Sequence, residues 1–232
     1  VGAGPFPPET IVGRAVARFV GAHPRCKLRV EVRQWDELLP RLRNHEIDLF
    51  VAETSTLEHE ADLQVHPLSR HPLYLLARAG HPLADRPHAV LGEILRWPVA
   101  AMARIPPRML EPTLSVIARA RDLPGVAAAF PALTCMDFSL VKQVVLASDT
   151  VMVSSLPCVA RELERGELVV LGAEPWMQLN YGIVSLRERL PSSAALLEFH
   201  ALVVEAEQAL VLEEAGQQAR WLPTARDLPV PA

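Results

Sequence analysis

Lysine is almost absent from this sequence: Lys27 and Lys142 are its two examples. The arginines are scattered, some beside acids as in Arg161-Glu162 and Arg187-Glu188-Arg189, and 23 basic against 27 acidic residues give a formal net charge of -4. Duplex-binding domains gather a positive face because phosphate contacts dominate their affinity, so nucleic acid is not expected as a partner of this chain itself. Cysteine is scarce too. Cys26, Cys135 and Cys158 are odd in number and show no CxxC spacing, which argues against a disulfide framework and a cysteine zinc site. They read as three reduced thiols packed as small hydrophobes, the usage of a reducing compartment. No apolar run reaches membrane-spanning length, and no membrane partner is expected.

Catalytic signatures are missing as well. There is no GxSxG, no phosphate-binding loop and no GxGxxG after a strand. Ser154-Ser155 lacks an identifiable base, and the neighbouring acids Asp36-Glu37 and Glu213-Glu214 point apart on helices and read as solvated faces. His23, His66, His71 and His81 each precede a proline and read as four chain reversals. No histidine pair has the i, i+4 spacing of a zinc helix. No catalytic residue, metal or cofactor is expected, and the chain reads as a non-enzyme.

What is present is an alternation of strands and helices. A chain of 232 residues suits one domain of two lobes or two small domains, burying roughly 70–75% of its extended surface. It opens on Val1 inside a short strand end, so it is expected to be a piece of a longer protein that extends to the N-terminal side. Phe6-Pro7-Pro8-Glu9 reads as a helix entry, and Ile11, Val12, Ala15, Val16, Phe19 and Val20 recur on one helical face. A strand at Leu28–Val32, a helix at Trp35–Leu42 and a doubly buried strand at Ile47–Ala52 complete a β-α-β-α-β series. Strands at Leu63–Ser69 and Pro72–Ala77 follow. The alternation then restarts: helices at Val90–Leu95, Met109–Ala120, Phe138–Ala147 and Cys158–Arg165, strands at Val99–Met102, Ala132–Met136, Thr150–Ser154 and Leu168–Leu171. A strand at Asn180–Ser185 and a long helix at Ser192–Val211, capped by Ser192, close the series. The segment from Gly216 to Ala232 reads as extended. Two α/β sets with a returning last strand and helix predict two crossovers and a cleft between lobes, where ligands of such sheets bind.

Several pieces of sequence fall in a telling order. Phe19 is followed by His23-Pro24, by Leu28-Val30-Val32, by Leu38 and Leu42, and by Glu46-Ile47-Asp48-Leu49. Then come Gly-His-Pro-Leu-Ala at 80–84, Val145, Ser148-Asp149-Thr150-Val151 and Pro157. In this order the chain resembles the effector-binding domain of LysR-type transcriptional regulators, from Val1 to about Val211. The resemblance implies a periplasmic-binding-protein-like (type II) α/β fold of two Rossmann-like subdomains joined by crossover strands with a ligand cleft between. One subdomain would take residues 1–75 and 180–215, the other 76–179, leaving 216–232 as a tail. It further implies a cytoplasmic protein that pairs as a dimer or tetramer, senses a small-molecule effector, and meets DNA only through an N-terminal winged helix-turn-helix absent from this chain. A solute receptor or an enzyme on the same scaffold are the alternatives. The family often carries glycine at the positions of Arg33, Ser148 and Thr150, and a hydroxyl where this chain has Pro7-Pro8.

The candidate ligand contacts follow the strand-end rule and the resemblance. Phe6, Pro8, Glu9 and Thr10 form the first strand-to-helix loop, where free N–H groups of Glu9, Thr10 and Ile11 would face the cleft. Gln34 and Trp35 follow the second strand and suit a sugar or an aromatic ring; the alternative is that Trp35 packs in the first lobe. Arg104 and Arg108 follow a second-lobe strand and could grip an acid. Met136, Asp137, Phe138 and Ser139 form the second lobe's ligand loop by resemblance, although Asp137 or Ser139 could instead cap the next helix. The effector is left open among acid, sugar and aromatic metabolites. The outer side of the first helix, around Arg14, Ala17 and Arg18, is the candidate pairing surface.

Overall fold

The computed structural model describes residues 1–55, 57, 60–86, 89–119, 129–188 and 193–222. The predicted cap Ser192, the predicted helix end Ala120 and the tail beyond Leu222 lie outside these residues. Along the chain come β1 (Gly2–Ala3), α1 (Ile11–Ala22), β2 (Glu31–Val32), α2 (Trp35–Arg43), β3 (Leu49–Glu53) and β4 (Leu63–Pro72). The second set is β5 (Tyr74–Arg78), α3 (Leu91–Ile94), β6 (Val99–Ala101), α4 (Pro107–Arg119), β7 (Leu133–Thr134), α5 (Phe138–Ala147), β8 (Val151–Ser154), α6 (Ala160–Glu164) and β9 (Leu168–Gly172). The chain closes with β10 (Gln178–Leu186) and α7 (Ala194–Trp221).

The strands form two five-stranded sheets, ordered β2-β1-β3-β10-β4 and β7-β6-β8-β5-β9. In the first, β1 to β3 run parallel and β10 lies antiparallel between β3 and β4. In the second, β6, β7 and β8 are parallel and β5 is antiparallel to β8 and β9. The chain crosses between lobes twice, at Leu73 and at 173–177, and the crossings are tied where Leu73 N–H donates to the Met177 carbonyl at 2.8 Å.

β3 shows how sequence sets the layers. All five residues are buried, and their alternation sends Leu49 and Val51 to the α1 side, Phe50 and Ala52 to the α2 side. A strand covered on both faces has no polar positions to spare. Gly2 is required by the closeness of α2: a Cβ there would lie 2.6 Å from Leu38 Cδ2 and 2.8 Å from Ile47 Cδ1.

Four expectations are corrected. The strand expected at Leu28–Val32 is confined to Glu31–Val32, because β1 offers two residues to pair with and β2 is a sheet edge. The long helix does not stop at Val211; it runs 28 residues to Trp221, and Ser193 caps it by accepting from Leu196 N–H. Gly216–Trp221 is therefore helical rather than extended. His66 and His71 lie inside β4 rather than at reversals. Of the three thiols only Cys158 is buried, and Cys26 is exposed.

Candidate functional site

A cavity of about 100 Å³ lies where the carboxyl ends of β1, β3 and β6 meet the two crossings. The first lobe contributes Gly4, Phe6, Trp35 and Glu53 to its wall. The crossings contribute Leu73 and Met177, β10 contributes Leu179 and Tyr181, and the second lobe continues the wall beneath α3 and α4 through Leu91, Leu95, Met109 and Thr113. Apolar side chains make most of this surface. Burial pushes the Tyr181 hydroxyl well above its ordinary pKa, so it stays neutral there.

Polar groups gather where the lobes touch. Arg104, in the loop after β6, donates its N–H to Gln34 Oε1 at 3.0 Å and its guanidinium to Asp36 Oδ2 at 2.5 Å. Arg108, on α4, donates Nη2 to Glu53 Oε2 at 2.8 Å and to the Gln178 carbonyl. Glu53 also accepts from the backbone N–H of Asn180 at 2.9 Å and of Ser55 at 3.3 Å. A carboxylate with this many donors tolerates burial. The Phe6 and Phe138 rings meet edge to face across the lobes, centroids 6.4 Å apart. The Arg104 and Arg108 contacts and the Phe6–Phe138 pair join one lobe to the other, so the cleft stands closed. Trp35 Nε1 and Arg108 Nε are buried there without a hydrogen-bond partner, a condition that costs free energy until an acceptor arrives.

The structure sorts the sequence candidates. Phe6, Trp35 and Arg104 stand on the cavity wall, Gln34 binds Arg104 across the cleft, and Phe138 packs on Phe6. Pro8, Glu9, Thr10, Met136, Asp137 and Ser139 lie off the wall. Asp137 Oδ1 caps α5 by accepting from Leu140 N–H at 3.0 Å, as the capping alternative required. The N–H groups of Glu9 and Thr10 do not await a ligand: a 3-10 turn at Pro7–Glu9 commits them to the carbonyls of Phe6 and Pro7. Arg104 and Arg108 do grip acids, but the acids are the chain's own Asp36 and Glu53. Asp36 is thus no free solvated face. On the outer side of α1, Arg14 and Arg18 are paired to Glu213 and Glu205 of α7.

Behind the cavity lies a charged cluster that the sequence did not reveal. His71, 1% exposed, is held between two glutamates of α7: Nε2 is 3.0 Å from Glu207 Oε1 and Nδ1 is 3.0 Å from Glu214 Oε2. Burial pulls the imidazole pKa down, but the two carboxylates outweigh it and hold it at about 9. The Tyr181 ring, which also lines the cavity, lies 5.4 Å from His71. Glu214 is therefore buried and paired, not solvated. Among the described residues no group of three or more His, Cys, Asp or Glu side chains is placed to hold a metal ion, and no helix is long and apolar enough to cross a membrane.

Comparison with known proteins adds to this geometry. Residues 1–208 match the family model described as the LysR substrate binding domain. The chain is 32% identical over 219 residues to the SDS degradation transcriptional activation protein of a Pseudomonas species, covering 92% of this chain and 66% of that protein. It is 26% identical over 170 residues to the HTH-type transcriptional regulator GalR of Pseudomonas putida, covering 72% of this chain and 41% of that protein. The chain thus spans less than two thirds of the length of either relative. Its fold is similar to that of reduced OxyR from N. meningitidis, with a TM-score of 0.67 at 13% identity over 89% of this chain and 94% of that one. The regulatory domain of MetR, a LysR family regulator from N. meningitidis, gives a TM-score of 0.66 at 16% identity over 90% and 93%.

Proposed function

The chain belongs to the LysR substrate-binding domain family and carries its periplasmic-binding-protein-like fold; from that premise we propose that it is the sensory part of a cytoplasmic bacterial transcription regulator. A small-molecule effector binds between the lobes. The observation that carries this reading is the cavity at the strand ends, bridged by Arg104 to Gln34 and Asp36 and by Arg108 to Glu53. Groups that reach across a hinge make different contacts when the lobes part. A ligand that contacts both lobes can therefore bias closed against open, and only such differential affinity shifts the equilibrium. Lobe movement would re-space paired copies of the domain and so the DNA-reading heads attached N-terminally in the full protein. Two relatives described as transcriptional regulators, each longer than this chain, support that arrangement. No catalytic role is assigned to any residue.

A thermal-shift screen of the chain against small acids, alcohols, aromatics and sugars tests the reading. A cleft ligand at 100 times its Kd stabilises the fold by about 2.7 kcal/mol, and Arg108→Met, which breaks a cross-lobe pair, reduces that gain. A broad panel that gives no shift contradicts effector binding.

A further inference from the structure

We propose, resting on the effector reading above, that the ligand is a slender amphiphile: an unbranched hydrocarbon chain that enters the second lobe beneath α3 and α4, with one oxygen-bearing head left at the cleft. Three observations carry this. First, the cavity is not confined to the gap between lobes. Its wall continues from Trp35 and Glu53 into the second lobe, past Leu95 and Met109 to Thr113 and Phe130. Second, that inner stretch offers almost nothing to a polar ligand. Thr113 is its hydroxyl, and it already donates to the Met109 carbonyl at 2.8 Å. A sugar placed there would leave several hydroxyls without partners, each costing about tenfold in affinity. Third, the volume is small for so long a wall. About 100 Å³ is less than the roughly 150 Å³ cavity that accepts a benzene ring, so the shape fits a narrow chain better than an aromatic ring.

The head is defined by what remains unsatisfied at the first-lobe end. The Trp35 indole N–H is buried without an acceptor and is the donor for one head oxygen. Arg104 and Arg108 are already neutralised by Asp36 and Glu53. An uncharged hydroxyl head leaves those pairs intact, whereas a carboxylate or sulfate head must compete with Asp36 for Arg104. The hydrocarbon tail is common to all three heads.

Isothermal titration of the chain with straight-chain alcohols, carboxylates and alkyl sulfates, from butyl to decyl and below their micelle concentrations, tests the inference. Hexoses, sugar acids and benzoates serve as the contrasting set. The expected result is one site per chain, with Kd tightening about fourfold for each added methylene until the cavity is filled and then levelling. The best head identifies the ligand's source. In Thr113→Leu, which fills the inner end, the levelling point moves to a shorter chain. The chain-length series on the unaltered protein stands even if that variant fails to fold. Affinity that ignores chain length, or a series that Thr113→Leu leaves unmoved, overturns the inference. If a sugar acid or benzoate binds in the cleft and no alkyl compound does, the tail inference falls while effector sensing stands. If no probe of either set binds, both fall.

Discussion

His71 shows how much one side chain can carry when its partners lie far along the chain. It is enclosed by Glu207 and Glu214, 136 and 143 residues away, and its imidazolium offsets two buried carboxylates. Removing it leaves those charges facing each other. His71→Gln is therefore expected to destabilise the fold by about 3–5 kcal/mol, the usual cost of stripping a buried ion of its partner, read from urea unfolding at neutral pH. The pH dependence has a definite sign. The folded pKa, about 9, lies above the ordinary imidazole value of 6.5, so the charged imidazole's contribution is complete below pH 6.5 and is lost as pH rises through 9. Tyr74 and Cys158, each pushed up to about 12 chiefly by burial, add their own alkaline dependence. The difference between the protein and His71→Gln is thus the quantity to follow, and it should shrink toward high pH. A difference that grows there would contradict the assignment. At the cleft, Arg108→Met takes the cationic donor from Glu53 and leaves it two backbone N–H groups; the change is expected to cost about 2–3 kcal/mol as a charged hydrogen bond is lost, and an unchanged urea midpoint would show that the pair contributes nothing. Neither partnership was legible in sequence. His71-Pro72 read as a turn and Glu213-Glu214 as a wet face, because adjacency along the chain says nothing about a partner on another element.

Elements were far more legible than partners, and their errors have local causes. The sequence predicts α5 at Phe138–Ala147 and the helix lies there, because its apolar spacing and its Asp137 cap are both written within a dozen residues. The end of α7 was not. Gly216 and a run of polar residues suggest a stop, yet the helix continues because its last turns have partners. Glu214 meets His71, Gln218 meets the Tyr74 hydroxyl, and Arg220 lies 3.7 Å from Glu164 of the second lobe. Those contacts outweigh the roughly 1 kcal/mol that a helical glycine costs relative to alanine. A Cβ on Gly216 would meet nothing within 4 Å, so Gly216→Ala is expected to stabilise the fold by about 1 kcal/mol, measured as a higher melting temperature. An unchanged or lower melting temperature would contradict the helical placement of residue 216. Gly2 behaves oppositely. Gly2→Ala drives a methyl into Leu38 and Ile47 and is expected to destabilise by about 1–3 kcal/mol as overpacking, read in the same melt.

At the scale of the whole molecule, the two-lobed plan was readable because β-α alternation restarts after β5 and because apolar strands announce a covered parallel sheet. The cleft was readable in outline, since the strand-end rule points to the loops after β1, β2 and β6; Phe6, Trp35 and Arg104 are found on the wall. The rest of the site was not readable. Glu53 closes a strand that looked wholly structural, Arg108 finds its acid across the hinge, and the deep apolar stretch of the second lobe is core by every sequence measure. A closed cleft draws its walls from residues separated by more than a hundred positions, and only the way the lobes meet decides which of them face each other. That meeting is the account's central claim: a small molecule sits between the lobes and contacts both. A crystal structure of the chain grown with a compound that raises its melting temperature tests it most directly. The account predicts density for that compound between Trp35 on the first lobe and Met109 on the second. Density at another surface, with the cleft still closed by Arg104–Asp36 and Arg108–Glu53 and empty, would contradict it.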